Sequence, residues 1–207
     1  MTIKYRKIKK QDYPYIKELV KDAWFKDYPL SEKIKYKYAT GYLHFHLGNS
    51  NFVNVATIDD KLVGFIFGRV KKTSFFHKLP HYLRLSFLCF SLLFSKAGRR
   101  GIKVFRYEEK LDDKLIRPYK NDLHNEINLF IINKDYRGQG IGSTLEDSFI
   151  KFCKDNSEHH VYVYTDTYSN YEYYLHKNYK IIGSTKDFLE ADYVDNDSAY
   201  YLLKKEF

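Results

Sequence analysis

Residues 125–156, NEINLFIINKDYRGQGIGSTLEDSFIKFCKDN, constrain this chain more than any other stretch. Ile127, Leu129, Phe130, Ile131 and Ile132 form a short apolar run rich in β-branched residues, closed by turn residues 133–135, and this predicts a buried strand. From Ser143 onward, Leu145, Phe149, Ile150, Phe152 and Cys153 recur at the spacing of one helical face. Between strand and helix stands Arg137-Gly138-Gln139-Gly140-Ile141-Gly142, with glycine at every second position. Glycine has no Cβ and lets backbone N–H groups come close to a ligand. A helix N-terminus adds unpaired N–H groups and the positive end of the helix dipole, so the expected guest is a pyrophosphate.

Two familiar phosphate loops do not fit. A Walker loop ends in Gly-Lys-Ser/Thr, whereas this one ends Gly142-Ser143-Thr144 without the lysine, which argues against NTP hydrolysis. A dinucleotide fingerprint spaces its glycines G-x-G-x-x-G and wants an acidic residue at the end of the next strand; the spacing here is G-x-G-x-G. R-x-x-G-x-G after a strand resembles instead the acyl-coenzyme A loop of the GCN5-related N-acetyltransferase (GNAT) family. A second tract, Asn170-x-x-Tyr173-Tyr174-x-x-x-Asn178-Tyr179, resembles that family's Phe-Tyr-x-x-x-Gly-Phe, with Asn178 in place of the glycine. Both residue types tolerate positive φ.

The resemblance implies acetyl transfer from acetyl-CoA, as co-substrate, to a primary amine acceptor by direct attack in a ternary complex. It implies a pyrophosphate held by Arg137, Gly138, Gln139, Gly140, Ile141, Gly142 and Ser143, and a pantetheine arm along the backbone of Ile131 and Ile132. Asn133 and Asn170 join them at the coenzyme. Tyr174 matches the tyrosine that protonates the departing thiolate, a role that needs a weak acid within hydrogen-bond reach. Glu126 starts the same strand, where many members carry a glutamate that draws a proton from the amine; a solvated strand-end carboxylate is the plain alternative. Asp166, at the end of the following strand, is the second carboxylate and a contact for the substrate, and His124 is a weaker candidate. The rival to an enzyme is a non-catalytic acyl-CoA-binding or regulatory module of the same fold.

Read along its 207 residues, the chain suits one domain. The expected order is a strand at 3–8, a helix through Tyr15, Leu19, Ala23 and Trp24, a second helix capped by Ser31, and a hairpin over 52–70 turning at Asp59-Asp60. After the central unit come a strand at 160–165, a short helix at 171–177 leaving through Asn178, a strand at 179–183, an acidic loop at 185–197 and a last strand at 200–203. The fold class is α/β (α+β): a mixed, largely antiparallel twisted sheet flanked by helices, splayed where the strands starting at Glu126 and His160 run side by side. Residues 71–121 read as a helical insertion between the third and fourth strands.

Within that insertion, 79–94 (LPHYLRLSFLCFSLLF) is apolar nearly all round, with Arg84 its only strongly charged residue. It is short of the about 20 residues that cross a bilayer, so no integral membrane segment is expected. Packing within the domain is its plainest reading; a homodimer contact, an interfacial membrane helix and a lid over the acceptor remain. As a lid it would offer Leu79, Tyr82, Phe87, Phe90 and Phe94 as an apolar wall, with Glu126 and Asp166 supplying negative charge. A second helix is expected at 103–116 after Gly98-Arg99-Arg100-Gly101, ended by Pro118.

The net charge of +9 attracts polyanions: nucleic acid, an anionic membrane or a multiply phosphorylated ligand. No basic tail concentrates it as a nucleic-acid arm does, so nucleic acid is not expected. The eight histidines show no zinc spacing with the cysteines, and no metal is expected. Cys89 and Cys153 fall in apolar helical patterns and read as packed thiols, and 1–11 lacks the apolar core of a signal peptide. Together these predict a reducing cytoplasm.

Overall fold

The computed structural model describes residues 2–186 and 199–207, so most of the acidic segment expected at 185–197 lies outside the described residues. A first strand, β1 (Ile3–Lys7), lies at one edge beside the expected hairpin of β2 (Phe52–Ile58) and β3 (Lys61–Arg69). Asp59 and Asp60 turn that hairpin at φ 48° and 59°. Left-handed values at both central residues match the right-handed twist of the flanking strands, and aspartate tolerates them better than most side chains. Next come β4 (Glu126–Ile132), β5 (His160–Asp166), β6 (Lys180–Thr185) and β7 (Tyr200–Glu206). The sheet runs β1-β2-β3-β4-β5-β7-β6, and every neighbouring pair is antiparallel except β4 with β5.

Helices cover both faces. On one, α1 (Tyr13–Val20), continued by a π-helical turn at Lys21–Phe25, and α2 (Glu32–Asn49) lay Ile16, Val20, Leu43 and Leu47 on Phe65 and Phe67 of β3 and on Leu129 and Ile131 of β4. Ser31 stands at the N-cap of α2 as expected, but its side chain makes no capping bond. The other face is covered by the helix after the glycine loop, whose Leu145, Phe149 and Cys153 pack on Val63, Ile66, Ile127 and Val161. Each such buried side chain contributes roughly 1.5–3 kcal/mol.

The insertion folds as a helical hairpin, α3 (Phe75–Leu93) and α4 (Lys96–Ile116). α3 starts four positions before the expected 79 and packs only one side. Leu88 reaches Gly41 of α2, Lys37 Nζ donates to Ser91 Oγ at 3.0 Å, and His81 Nδ1 lies 3.1 Å from His44 Nδ1. Its other side stays in solvent, so packing within the domain accounts for half of this helix. Cys89 is on the solvent side and not a packed thiol; Cys153 is fully buried, and burial pushes its thiol up to about 12. α4 starts at Lys96, well before the expected 103, because Gly98 and Gly101 do not break it. They let other atoms in: a Cβ on Gly98 would meet the Leu92 carbonyl oxygen at 2.1 Å, and one on Gly101 the Tyr38 ring at 2.2 Å. Leu115 of α4 then packs with Leu123, Tyr162 and Leu202 over the β5–β7 end of the sheet.

Because the atom facing Gly98 is backbone, Gly98→Ala must push α3 and α4 apart and lowers stability by about 1–3 kcal/mol. Urea unfolding reads this as a lower midpoint; an unchanged midpoint would show that the two helices do not approach this closely.

Candidate active site

β4 and β5 pair at only two positions, Glu126 with Tyr162 and Ile127 with Val163, and then part. At the same level the β3–β4 register slips, because Phe67 faces Leu129 while Gly68 faces Ile127, which leaves Asn128 as the extra residue of a bulge. Asn128 is held there by its Nδ2, which donates to the Asn49 carbonyl oxygen at 3.0 Å and to Ser50 Oγ at 2.8 Å. The parted strands open a cleft of about 1000 Å³.

One end of the cleft is the glycine loop. Gly138 and Gly140 sit at φ 76° and 77°, a conformation strained for any other residue, and a Cβ at either would meet nothing within 4 Å. Gly140 is the N-cap of α5 (Ile141–Asp155) and, being glycine, gives that helix no side-chain cap. The first N–H groups of α5 therefore face the cleft with the positive end of its dipole, beside Arg137. Along β4, Asn133 N–H donates to Val63 O at 2.8 Å, which makes Gly64 and Ile132 a non-hydrogen-bonded pair. The amide groups of Phe130 and Ile132 then turn away from β3 toward the opening, whereas Ile131 spends its own on Phe65. This corrects the expectation that Ile131 offers its backbone to the coenzyme.

The other end is acidic and aromatic. Asp27 and Trp24, from the turn after α1, Glu108 and Leu111 of α4, Tyr164 of β5 and Tyr200 of β7 line it. Glu108 accepts from Tyr42 Oη at 3.1 Å, and Asp112, one turn further along α4, accepts from Tyr200 Oη at 2.6 Å. Burial pushes the Asp112 carboxyl up to about 8; the Tyr200 bond opposes that rise, and the Glu126 and Glu108 carboxylates add to it.

Two tyrosines of α6 (Tyr171–His176) stand between these ends. Tyr173 donates its hydroxyl to Glu146 Oε2 at 2.6 Å, and Glu146, fully buried, also accepts from Lys205 Nζ at 3.1 Å. Tyr174 packs its ring on Tyr173 and Tyr179 with centroids 5.4 and 5.2 Å away. Burial first, and then Glu146, holds the Tyr174 hydroxyl above the ordinary tyrosine range, so it stays protonated at neutral pH. Asn178 leaves α6 at φ 65°, the conformation the motif gives to glycine.

Ile131, Ile132, Arg137, Gly138, Gly140, Ile141, Gly142, Ser143, Asp166, Asn170 and Tyr174 thus come together around one cleft. Asn133 and Gln139 are not among its lining residues: Asn133 instead accepts the Asp135 N–H at 3.0 Å. Glu126 is also behind the wall, because the bulge swings it to the α4 side of the sheet, where Arg69 and Tyr162 both donate to Oε2. Asp166 lines the cleft with Oδ1 taken by the N–H groups of Tyr168 and Ser169. His124 is not among the lining residues: its backbone N–H donates to His160 Nε2 and its ring lies against the His160 ring. Tyr82 is not brought to the cleft: it is on α3, where its hydroxyl meets Asn49 at 3.2 Å, and Phe87, Phe90 and Phe94 face solvent. The insertion does reach the cleft, through α4 and not α3. An i, i+4 pair of carboxylates on one face of α4 is the signal that marks Glu108 and Asp112; nothing local in the sequence ties them to Tyr200.

The family model described as the Acetyltransferase (GNAT) family matches residues 13–180. The chain belongs to this family and is an acetyl-CoA-dependent acetyltransferase with an amine as acceptor. No curated protein sequence matches it. Among solved structures it is similar to PH1933 from Pyrococcus horikoshii OT3, with 17% identity, TM-score 0.59, and 100% of this chain and 99% of that one covered. It is also similar to the PaiA N-acetyltransferase from Thermoplasma acidophilum in complex with coenzyme A, with 14% identity, TM-score 0.54 and both chains covered in full. The Drosophila melanogaster polyamine N-acetyltransferase, which forms N-acetylagmatine, shares 13% identity at TM-score 0.56, again over both full chains. At these identities the likeness is one of fold.

Acetyl-CoA at a hundredfold excess over its Kd adds about 2.7 kcal/mol to the stability of the native state and raises the melting temperature. Gly140→Ala removes most of that shift and by itself lowers stability by about 1–2 kcal/mol through the left-handed backbone. Full coenzyme protection in this variant would place the phosphates elsewhere.

Proposed function

We propose that this chain transfers the acetyl group directly from acetyl-CoA to a small primary amine on an apolar stem, in a ternary complex. The observation that carries the reading is the opposite polarity of the two ends of the cleft. Uncapped N–H groups of α5 and the left-handed glycines Gly138 and Gly140 suit a pyrophosphate, while Asp27 and Glu108 on the cleft, with Asp112 behind Tyr200, suit an ammonium among aromatic rings. In this reading Arg137, Gly138, Gln139, Gly140, Ile141, Gly142 and Ser143 hold the phosphates. Phe130 and Ile132 pair with the pantetheine amides, and Asn133 and Asn170 border the coenzyme.

The amine nitrogen attacks the thioester carbonyl carbon, the C–N bond forms and the C–S bond breaks. Tyr174 gives its proton to the departing thiolate: Tyr173 already donates to Glu146, whereas the Tyr174 hydroxyl makes no hydrogen bond among the described residues. The amine must first lose a proton, since an ammonium has no lone pair. Tyr200 takes it and passes its own to Asp112, whose raised pKa makes it a base suited to mild alkaline pH. Glu126 acts from behind, its charge raising the basicity of Asp112. Asp166, which ends β5 and lines the cleft, is a contact for the acceptor. An acyl-enzyme is not needed: Cys153 is buried with its thiol pushed up to about 12, and Cys89 lies on α3.

Among the described residues no helix is long and apolar enough to cross a membrane. We assign the chain to the cytoplasm on the strength of its two free thiols.

Tyr174→Phe lowers kcat by about a hundredfold or more while acetyl-CoA affinity is unchanged. Loss of both together, or of neither, would remove Tyr174 from the chemistry, and the second outcome would favour a binding module if no amine releases thiol. For Asp112 the carboxylate form is the working one, so kcat/KM rises with pH through about 8 and levels above it. Asp112→Asn abolishes that rise and lowers the plateau; a profile that keeps its shape assigns the proton to another group.

A further inference from the structure

We propose that the outer face of the α3–α4 hairpin docks on an anionic lipid surface. Phe76, Leu79, Leu83, Phe87, Phe90 and Phe94 follow one another at steps of three and four along α3 and share one side of the helix. That side is in solvent: Phe76 is 82% exposed, Phe87 78%, Phe90 63% and Phe94 76%. The opposite side carries Leu88 and Leu92 onto α2 and α4, so among the described residues the stripe has no partner. Exposed rings of this size in an unbroken row mark an interaction surface, not chance exposure.

The charge around the stripe selects its partner. No aspartate or glutamate occurs between Asp60 and Glu108. On α4, Arg99, Lys103, Arg106 and Lys110 recur at steps of four, three and four, on the side turned away from Glu108 and Asp112. These four cations line a groove with Leu93, Ile102 and Tyr107, which joins the basic row to the end of the apolar stripe. Phenylalanine and leucine on one side with arginine and lysine beside them are the elements of an interfacial helix, whose rings enter the acyl boundary while the cations meet lipid phosphates. A second copy of the chain fits less well. A two-fold contact through α3 would bring the same basic rows of both copies together, with no carboxylate on α3 to offset them.

The test is co-sedimentation with large vesicles of phosphatidylglycerol and phosphatidylcholine in equal parts, and with phosphatidylcholine alone. The protein is expected to pellet with the first and not with the second, and about 0.5 M salt is expected to weaken binding markedly. Replacing Phe87→Ser and Phe90→Ser together lowers partition by about a hundredfold with an unchanged melting temperature, since both rings are exposed. Lys103→Glu with Arg106→Glu removes the preference for the anionic vesicles. Absence of binding to the anionic vesicles overturns the proposal, as does equal binding to both. If, without vesicle binding, sedimentation velocity shows a dimer that Phe87→Ser with Phe90→Ser dissociates, the surface belongs to a second copy and the proposal is also overturned.

Discussion

The parting of β4 from β5 is the constraint on which the rest of this structure depends. Two residue pairs hold the strands at their N-terminal ends, and beyond them the amides of Phe130 and Ile132 have no strand to meet. An unmatched amide facing an apolar wall is unfavourable by about 1–3 kcal/mol, so a sheet opened in this way needs water or a ligand in the gap. The bulge at Asn128 stabilises the opening by tying the extra residue to the end of α2. It also reverses the facing of the strand. From Leu129 onward the alternating side chains obey one parity, and at Ile127 and Glu126 they obey the other, which puts Ile127 under α5 and Glu126 under α4.

That reversal marks the boundary of what the sequence discloses. The glycine loop is legible because its information is local: spacing in the chain, a strand before it, a helical face after it. The hairpin at Asp59-Asp60 and the exit of α6 at Asn178 are legible for the same reason, since each depends on which residues accept a left-handed backbone. A bulge depends on the partner strand, and β4 reads as one apolar run whether or not Asn128 is extra. Glu126 is therefore visible as a strand-end carboxylate, while its Arg69 and Tyr162 partners, from two other strands, are not.

The insertion shows the same division. Apolarity nearly all round reads as burial, yet α3 lies in an outer layer against α2 and buries one side only. Gly98 and Gly101 read as breakers because isolated helices disfavour glycine by about 1 kcal/mol, but inside the fold each admits an atom that no side chain would tolerate. Tertiary packing outweighs propensity here, and it lengthens α4 by two turns. Those two turns bring Arg99 into the helix, on the same side as Lys103, Arg106 and Lys110 and opposite Glu108 and Asp112.

The charges of the site then follow one axis. The N-terminus of α5 is positive, has glycine at its cap position and Arg137 beside it; across the cleft Glu108 lines the wall with Asp112 and Glu126 close behind it, each of the three carboxylates fastened by a tyrosine hydroxyl. Crowding like charges away from water is unfavourable, and the raised pKa of Asp112 is the visible sign of it. A cation arriving at that wall relieves the repulsion, and an anion arriving at α5 satisfies amides that its glycine cap leaves uncapped. Each ligand is thus attracted to its own end and repelled from the other. In the proposed reaction a tetrahedral centre forming between them has Tyr174 as proton donor on one side and Tyr200 with Asp112 as proton acceptor on the other. The gradient comes from α4 and α5 lying on opposite faces of a sheet that is open between them, and neither helix alone could establish it.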